Sequence, residues 1–159
     1  MQRRESQRTQ RTRERIRDAA RRLFLRQGYL ATSTDAILAE AGISSKETLY
    51  RHYASKEELF VDVLGQLSLD QPGLAEKIAA LPAPRDLQEL RHTLRMLARE
   101  ILSIMSQAEY LALVRMVIAE APRFPQLGAL FFSTVPLRGL SIITGLLRAA
   151  REQQVIADI

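Results

Sequence analysis

The sequence predicts an all-α protein, on three observations. Apolar residues recur at helical spacing from Ile16 to Leu147, no segment alternates apolar and polar residues as a strand would, and Gly and Pro punctuate the chain at helix-length intervals. With 47% hydrophobic residues in 159, the chain can bury a core in one domain or two small ones. It has no cysteine, which excludes disulfides, thiolate metal sites and a cysteine nucleophile.

Each element has a local reason. Residues 1–11 are polar, Arg-rich and aperiodic, and are expected as a basic flexible arm. The first helix is expected from its N-cap near Thr12 to Gln27. In it Ile16, Ala19, Ala20, Leu23 and Phe24 share one face and arginines take the others. Gly28 supplies the stop. The second helix follows three capping residues, Thr32-Ser33-Thr34, turns Ile37, Leu38 and Ala41 inward, and ends at Ala41-Gly42. The third opens on Ser44-Ser45-Lys46-Glu47, read as a Ser-x-x-Glu capping box, and carries Leu49, Tyr50 and Tyr53. A second box, Ser55-Lys56-Glu57-Glu58, opens a fourth helix through Leu67.

Pro72-Gly73 breaks that helix, and a short one is expected from Leu74 to Leu81 before Pro82-Ala83-Pro84. A long amphipathic helix follows from Asp86 to about Gln107. Leu111–Glu120 is apolar almost all round and is expected as a central buried helix, with Arg115 and Glu120 either paired inside it or lying on the surface. Pro122 and Pro125 bracket a turn. Leu127–Phe132 and Leu137–Gln153 complete the chain. The N-terminus has no apolar signal region, and Arg115, Arg138 and Gly139 interrupt the longest apolar runs, so no membrane span and a cytoplasmic location are expected.

Charge is unevenly placed. Residues 1–56 hold 13 Lys/Arg against 6 Asp/Glu, whereas residues 57–159 hold 10 against 12, although the whole chain is only +5. The basic half is the half with the three short helices, as expected of a nucleic-acid module with a near-neutral domain behind it. Within it, Thr32–Phe60 combines a helix, the turn Ala41-Gly42-Ile43-Ser44 and a second short polar helix: a helix-turn-helix, whose second helix can enter the major groove of DNA. Ser45, Lys46, Thr48, Arg51 and His52 are candidates to donate to base edges or phosphates, and Tyr50 and Tyr53 to reach phosphates. Lys56 lies in the first turn of the fourth helix, where the helix dipole disfavours a cation, so a phosphate partner is expected for it.

The segment TRERIRDAARRLFLRQGYLATSTDAILAEAGISSKETLYRHYASKEELF resembles the DNA-binding domain of the TetR/AcrR family of bacterial transcriptional regulators, in its AGIS turn, its TLYRHY stretch and its SKEELF helix opening. The stretch LVRMVIAEAPRFPQLGALFF resembles the C-terminal half of an AcrR-like branch. The resemblance implies an N-terminal three-helix DNA-binding domain with helix-turn-helix over residues 12–58, followed by a helical-bundle ligand-binding and dimerisation domain over 59–159. It implies a homodimeric, ligand-responsive repressor, with a palindromic double-stranded DNA operator and a small hydrophobic inducer as partners. By position it places phosphate contacts at Ser33, Thr34, Tyr50, Tyr53 and Lys56, and base or groove contacts at Ser45, Lys46, Thr48, Arg51 and His52.

Two departures from the family pattern stand out. Ile43 to Tyr50 spans seven residues where the family has six; either the turn absorbs the extra residue or the early contacts rotate by about 100°. The chain also stops at Ala157-Asp158-Ile159, where the family continues into one further long helix, so the last helix is expected to be missing and Leu140, Ile143, Leu146 and Leu147 to be partly exposed. Met96, Met105, Tyr110, Met116, Phe124, Phe131 and Phe132 are the candidate lining of an apolar ligand pocket, with ordinary core packing as the alternative for each. The only histidines are His52 and His92, and no Gly-rich phosphate loop, HExxH or GxSxG occurs, so an enzyme, a metal and a cofactor are not expected. The remaining alternative is a shortened helical interaction module that does not bind DNA and titrates full-length partners.

Overall fold

The computed structural model describes residues 2–71 and 73–157, with side chains from residue 7 onward. The described residues contain helices and no strand, the fold class predicted from the sequence. The helices are α1 (Gln2–Gln27), α2 (Thr34–Ala41), α3 (Lys46–His52), α4 (Lys56–Gln66), α5 (Leu74–Ala79), α6 (Leu87–Met105), α7 (Ala108–Glu120), α8 (Pro125–Thr134) and α9 (Pro136–Glu152). They form two compact units: residues 1–64 with 112–130, and residues 65–111 with 131–159. Residues 112–130, given by sequence to the second domain, thus pack with the first unit.

The first unit has a closed core. Ile16, Ala19, Ala20 and Phe24 of α1, Ile37 of α2, Leu49 of α3, Leu59 and Phe60 of α4 and Leu113 of α7 are fully or almost fully buried. Phe24, Tyr29 and Phe60 form an aromatic cluster with ring centroids 5.1–5.6 Å apart, and Phe124 stacks on Tyr29 at 5.7 Å. Such pairs contribute about 0.5–1.5 kcal/mol each beyond their burial. Gly28 (φ +90°) ends α1 in a conformation that favours glycine, and a Cβ there would run into the Glu120 carboxylate.

The second unit is thinner. On α6 only Leu90, Leu97 and Ile104 are buried, a stripe one residue wide at seven-residue spacing, while Leu87 and Leu102 are exposed. On α9 only Ala150 is buried; Leu140 is exposed and Ile143, Leu146 and Leu147 are half-buried, the partial exposure expected of this face. Arg138 ties α9 to the loop after α4, its Nε donating to Asp70 Oδ1 at 2.7 Å.

Several expectations are corrected. The segment expected as a flexible arm is helical from Gln2, because Arg, Gln and Glu are strong helix formers. Gln10 donates to Glu14 four residues on, and Thr12, expected as the N-cap, sits inside the helix with its hydroxyl on the Arg8 carbonyl. Ser44 and Glu47 form no capping box: Ser45 is the N-cap of α3 without a side-chain cap bond, and Glu47 pairs with Arg51 instead. At α4 the serine half of the box forms, Glu58 N donating to Ser55 Oγ, while the Glu58 carboxylate accepts from Ala54 N, one residue before the cap.

Next, α7 is buried on one side only. Tyr110, Leu113 and Val117 are inside, but Ile118 is 69% exposed and Leu111 41%. Arg115 is exposed and Glu120 binds the backbone of Leu30, so the two are not a pair. Finally, helical structure runs through Arg138 and Gly139, so neither breaks the apolar run; a stretch of Pro125–Glu152 passes for a membrane span by length and hydropathy alone, as the core helix of a soluble protein also can. Proline at the first turn of α9 costs no hydrogen bond, so Pro136 does not end the run. The break expected at Pro72-Gly73 falls where α4 has ended; Pro72 itself lies outside the described residues.

Candidate nucleic-acid interface

The helix-turn-helix is built by local caps. Ser33 is the N-cap of α2, its hydroxyl accepting from Ala36 N at 3.1 Å, and Thr34 is the first helical residue, half-buried. Gly42 closes α2 in the left-handed conformation (φ 63°). Arg15 of α1 finishes the cap, its guanidinium donating to Ala41 O at 2.6 Å and Gly42 O at 3.2 Å. Cations are favoured at that end of a helix. Ile43, Ser44 and Ser45 all precede α3, so the extra residue relative to the family spacing is taken up in the turn.

Leu49 pins α3 to the core at 1% exposure, which turns its neighbours outward. Ser45, Lys46, Tyr50 and Arg51 are exposed, and Thr48 and His52 half-buried. Two of the cations hold labile partners: Lys46 Nζ lies 2.8 Å from Asp35, and Arg51 2.9 Å from Glu47. Pairs this exposed contribute about 0–1 kcal/mol, so a phosphate can displace the carboxylate. Burial, with the Arg13 and Arg51 charges, lowers the pKa of His52 and favours the neutral imidazole at pH 7.

Two expected contacts are committed elsewhere. Tyr53 is 1% exposed. Its hydroxyl donates to Asp62 Oδ2 at 2.6 Å, and Arg13 bonds both groups and lies over the ring. Burial raises the Tyr53 pKa, so the phenol stays protonated. Tyr53 joins α1, α3 and α4 from inside, and its hydroxyl, expected at a phosphate, is engaged by Asp62 and Arg13 in this structure. Lys56 also points inward, its ammonium donating to Tyr29 O and Thr32 O at 2.8 Å each and lying 4.1 Å from the Tyr29 ring centre. These carbonyls and the ring give the ammonium partners inside the protein. Burial lowers the Lys56 pKa while Glu57 and Glu120 oppose the shift.

Sequence reasoning missed Glu120. Its carboxylate accepts from Leu30 N at 2.9 Å and occupies the space a Gly28 side chain would take. With Phe124 on the Tyr29 ring, it clamps the loop that also holds Lys56. The only signal was a conformationally free Gly-Tyr before the caps, and nothing in it pointed 90 residues away.

In the second unit, the residues named for a ligand pocket divide. Met105 and Tyr110 line an apolar cavity of about 360 Å3 with Ile101, Ile104, Val135 and Ile143. Met96, Met116, Phe131 and Phe132 do not line it; Phe132 is 56% exposed, and Phe124 stacks on Tyr29 in the first unit. Helical spacing fixes faces but not which faces converge, so a list chosen by residue type could not resolve this.

Two family models match the chain. One described as bacterial regulatory proteins, tetR family, matches residues 16–63. The C-terminal domain of AefR-like transcriptional repressors matches residues 92–155. The HTH-type transcriptional regulator UidR of Escherichia coli K12 is 34% identical over 120 residues, 75% of this chain; the aligned stretch is 56% of UidR's own length. Among solved structures, the flavonoid-responsive regulator FrrA is 34% identical, with 94% of this chain and 72% of FrrA covered at a TM-score of 0.70. A TetR-family regulator from Mesorhizobium loti MAFF303099 is 28% identical, with 92% and 71% covered and a TM-score of 0.64. The helix-turn-helix geometry and these likenesses agree, and the chain belongs to the TetR family of bacterial transcriptional regulators.

Proposed function

We propose that the protein is a ligand-responsive transcriptional repressor that binds a palindromic double-stranded DNA operator as a homodimer in the cytoplasm. The observation that carries this is α3: a short helix anchored by one buried leucine, with Ser45, Lys46, Thr48, Tyr50, Arg51 and His52 on its remaining faces. Ser33 and Thr34 at the start of α2 stand at a helix N-terminus, where backbone N–H groups favour a phosphate. Family membership favours a binding protein over an enzyme, and a DNA-binding protein over a membrane one despite the apolar α8–α9 stretch.

The ligand is a small hydrophobic molecule held in the second unit. The 360 Å3 cavity supports this, being within the range of small-molecule sites and almost wholly apolar. FrrA is named as flavonoid-responsive, which makes planar aromatic compounds the first candidates. The ligand acts by differential affinity for two conformations, only one of which spaces the two recognition helices for the operator. A gel shift on the DNA upstream of the gene, with and without a panel of apolar compounds, tests the reading. Binding is expected in low-nanomolar to micromolar protein and release by at least one compound. No retardation at any concentration would leave the interaction-module alternative.

A further inference from the structure

We infer that α1 carries a second phosphate site: Arg8 and Arg11, with Arg51 opposite, grip the sugar–phosphate backbone beside the groove that α3 enters. The inference rests on the DNA-binding reading and extends it to residues outside the helix-turn-helix.

Three observations carry it. First, α1 begins at Gln2, well before the core-facing stripe at Ile16, and from Gln7 to Arg15 none of its residues is buried. Arg8, Arg11 and Arg15 lie at spacings of three and four, along one face of that helix. Second, the neighbouring basic residues are used internally and these two are not. Arg13 goes to Asp62, Arg15 to the end of α2, and Arg22 and Arg26 to Glu40. Among the described residues, no carboxylate pairs with Arg8 or Arg11, and both are exposed. Third, Arg8, Thr9 and Thr12 line one open cleft of about 350 Å3 with Thr48, Arg51 and His52 of α3. Two guanidiniums, the Thr9 and Thr48 hydroxyls and an imidazole around one opening, beside a Thr12 hydroxyl held on the Arg8 carbonyl, make a donor-rich, cationic slot, the chemistry that recognises a phosphodiester oxygen. Arg11 stands one turn along, lining a second cleft with Arg8, Thr12 and Arg15. A ridge of this kind follows a strand past the groove and adds affinity that is indifferent to base sequence.

The test is fluorescence anisotropy of the full chain with a labelled duplex from its own upstream region, in 50–200 mM KCl, comparing wild type with R8Q/R11Q. Glutamine keeps the helix propensity and removes the charge. The double variant should lose affinity on specific and random duplexes alike. Its slope of log affinity against log salt should flatten by about 0.9 for each contact removed per protomer, and R8K/R11K should retain the slope. An unchanged slope in R8Q/R11Q, while wild type binds DNA and R51A does not, overturns the α1 site and leaves the DNA-binding reading standing. A wild type that binds neither duplex overturns the reading beneath it. Circular dichroism at matched temperature confirms that α1 is intact; a loss of affinity explained by lost helicity also overturns the proposal.

Discussion

The two units differ in how they treat apolar surface. The first buries most of it, leaving Leu30, Tyr50 and Ile118 exposed. Phe24, Phe60, Ile16, Ile37 and Leu59 are at 0% exposure, and two polar groups of the same unit, Tyr53 and Lys56, are bonded inward. The second leaves it open, with Leu140 at 60%, Phe132 at 56% and Leu102 at 62% exposed, and an apolar cavity between its helices. A closed core holds a reading head to one shape, so that donors stay where a groove will meet them. An open apolar unit keeps surface for something else to cover, and in this reading that is a ligand and a second copy.

Substitutions can break or sharpen this contrast. The largest effect is expected in the closed core: Phe60→Ala should destabilise by about 3–5 kcal/mol in urea unfolding, whereas Leu140→Ser should stay within about 0.5 kcal/mol in a monomer. Equal costs would erase the distinction between the units. Next is the inward network. Tyr53→Phe removes a hydrogen bond to a carboxylate and should cost about 1.5–3 kcal/mol, with the salt dependence of DNA binding unchanged. Tyr50→Phe, at an exposed hydroxyl, should do the reverse, weakening DNA binding at constant stability. A flattened salt slope in Tyr53→Phe would restore it as a phosphate contact.

Gly28→Ala comes third. It puts a methyl at φ +90° and into the Glu120 carboxylate, so a loss of about 1 kcal/mol or more is expected. Pairing it with Glu120→Ala in a double-mutant cycle reads the clash directly, since the second change should recover part of the loss. In the open unit, Ile143→Trp should fill the cavity and reduce binding of an apolar dye, with little change in melting temperature. The smallest effect concerns His52. Its folded pKa lies below the ordinary value, so its neutral form stabilises the fold above about pH 6.5, and that contribution is lost as pH falls through the folded value. Comparing the pH profile of stability with that of His52→Gln should show a slightly steeper decline for wild type on the acid side.

Local signals made most of the architecture readable before any coordinate. The apolar stripe of α1, the Ser33 cap, the Gly42 stop and the Ser55 cap of α4 stand where the sequence placed them, because each depends on neighbours within four residues. The recognition helix was legible for the same reason. What failed were statements about surroundings: α7 as a buried rod and residues 1–11 as an arm; the burial of Tyr53 against Asp62 was not legible either.

By itself, then, the sequence determined the helices, their apolar faces, the turn chemistry and the family. Only the tertiary structure decided which polar side chains are free. Tyr53 meets Arg13 across 40 residues, Lys56 meets Tyr29 across 27, and Leu30 meets Glu120 across 90. Helical periodicity reports which way a side chain points on its own helix. Whether a donor there finds water, a phosphate or a carbonyl depends on what another helix brings to it, and that relation is set by packing.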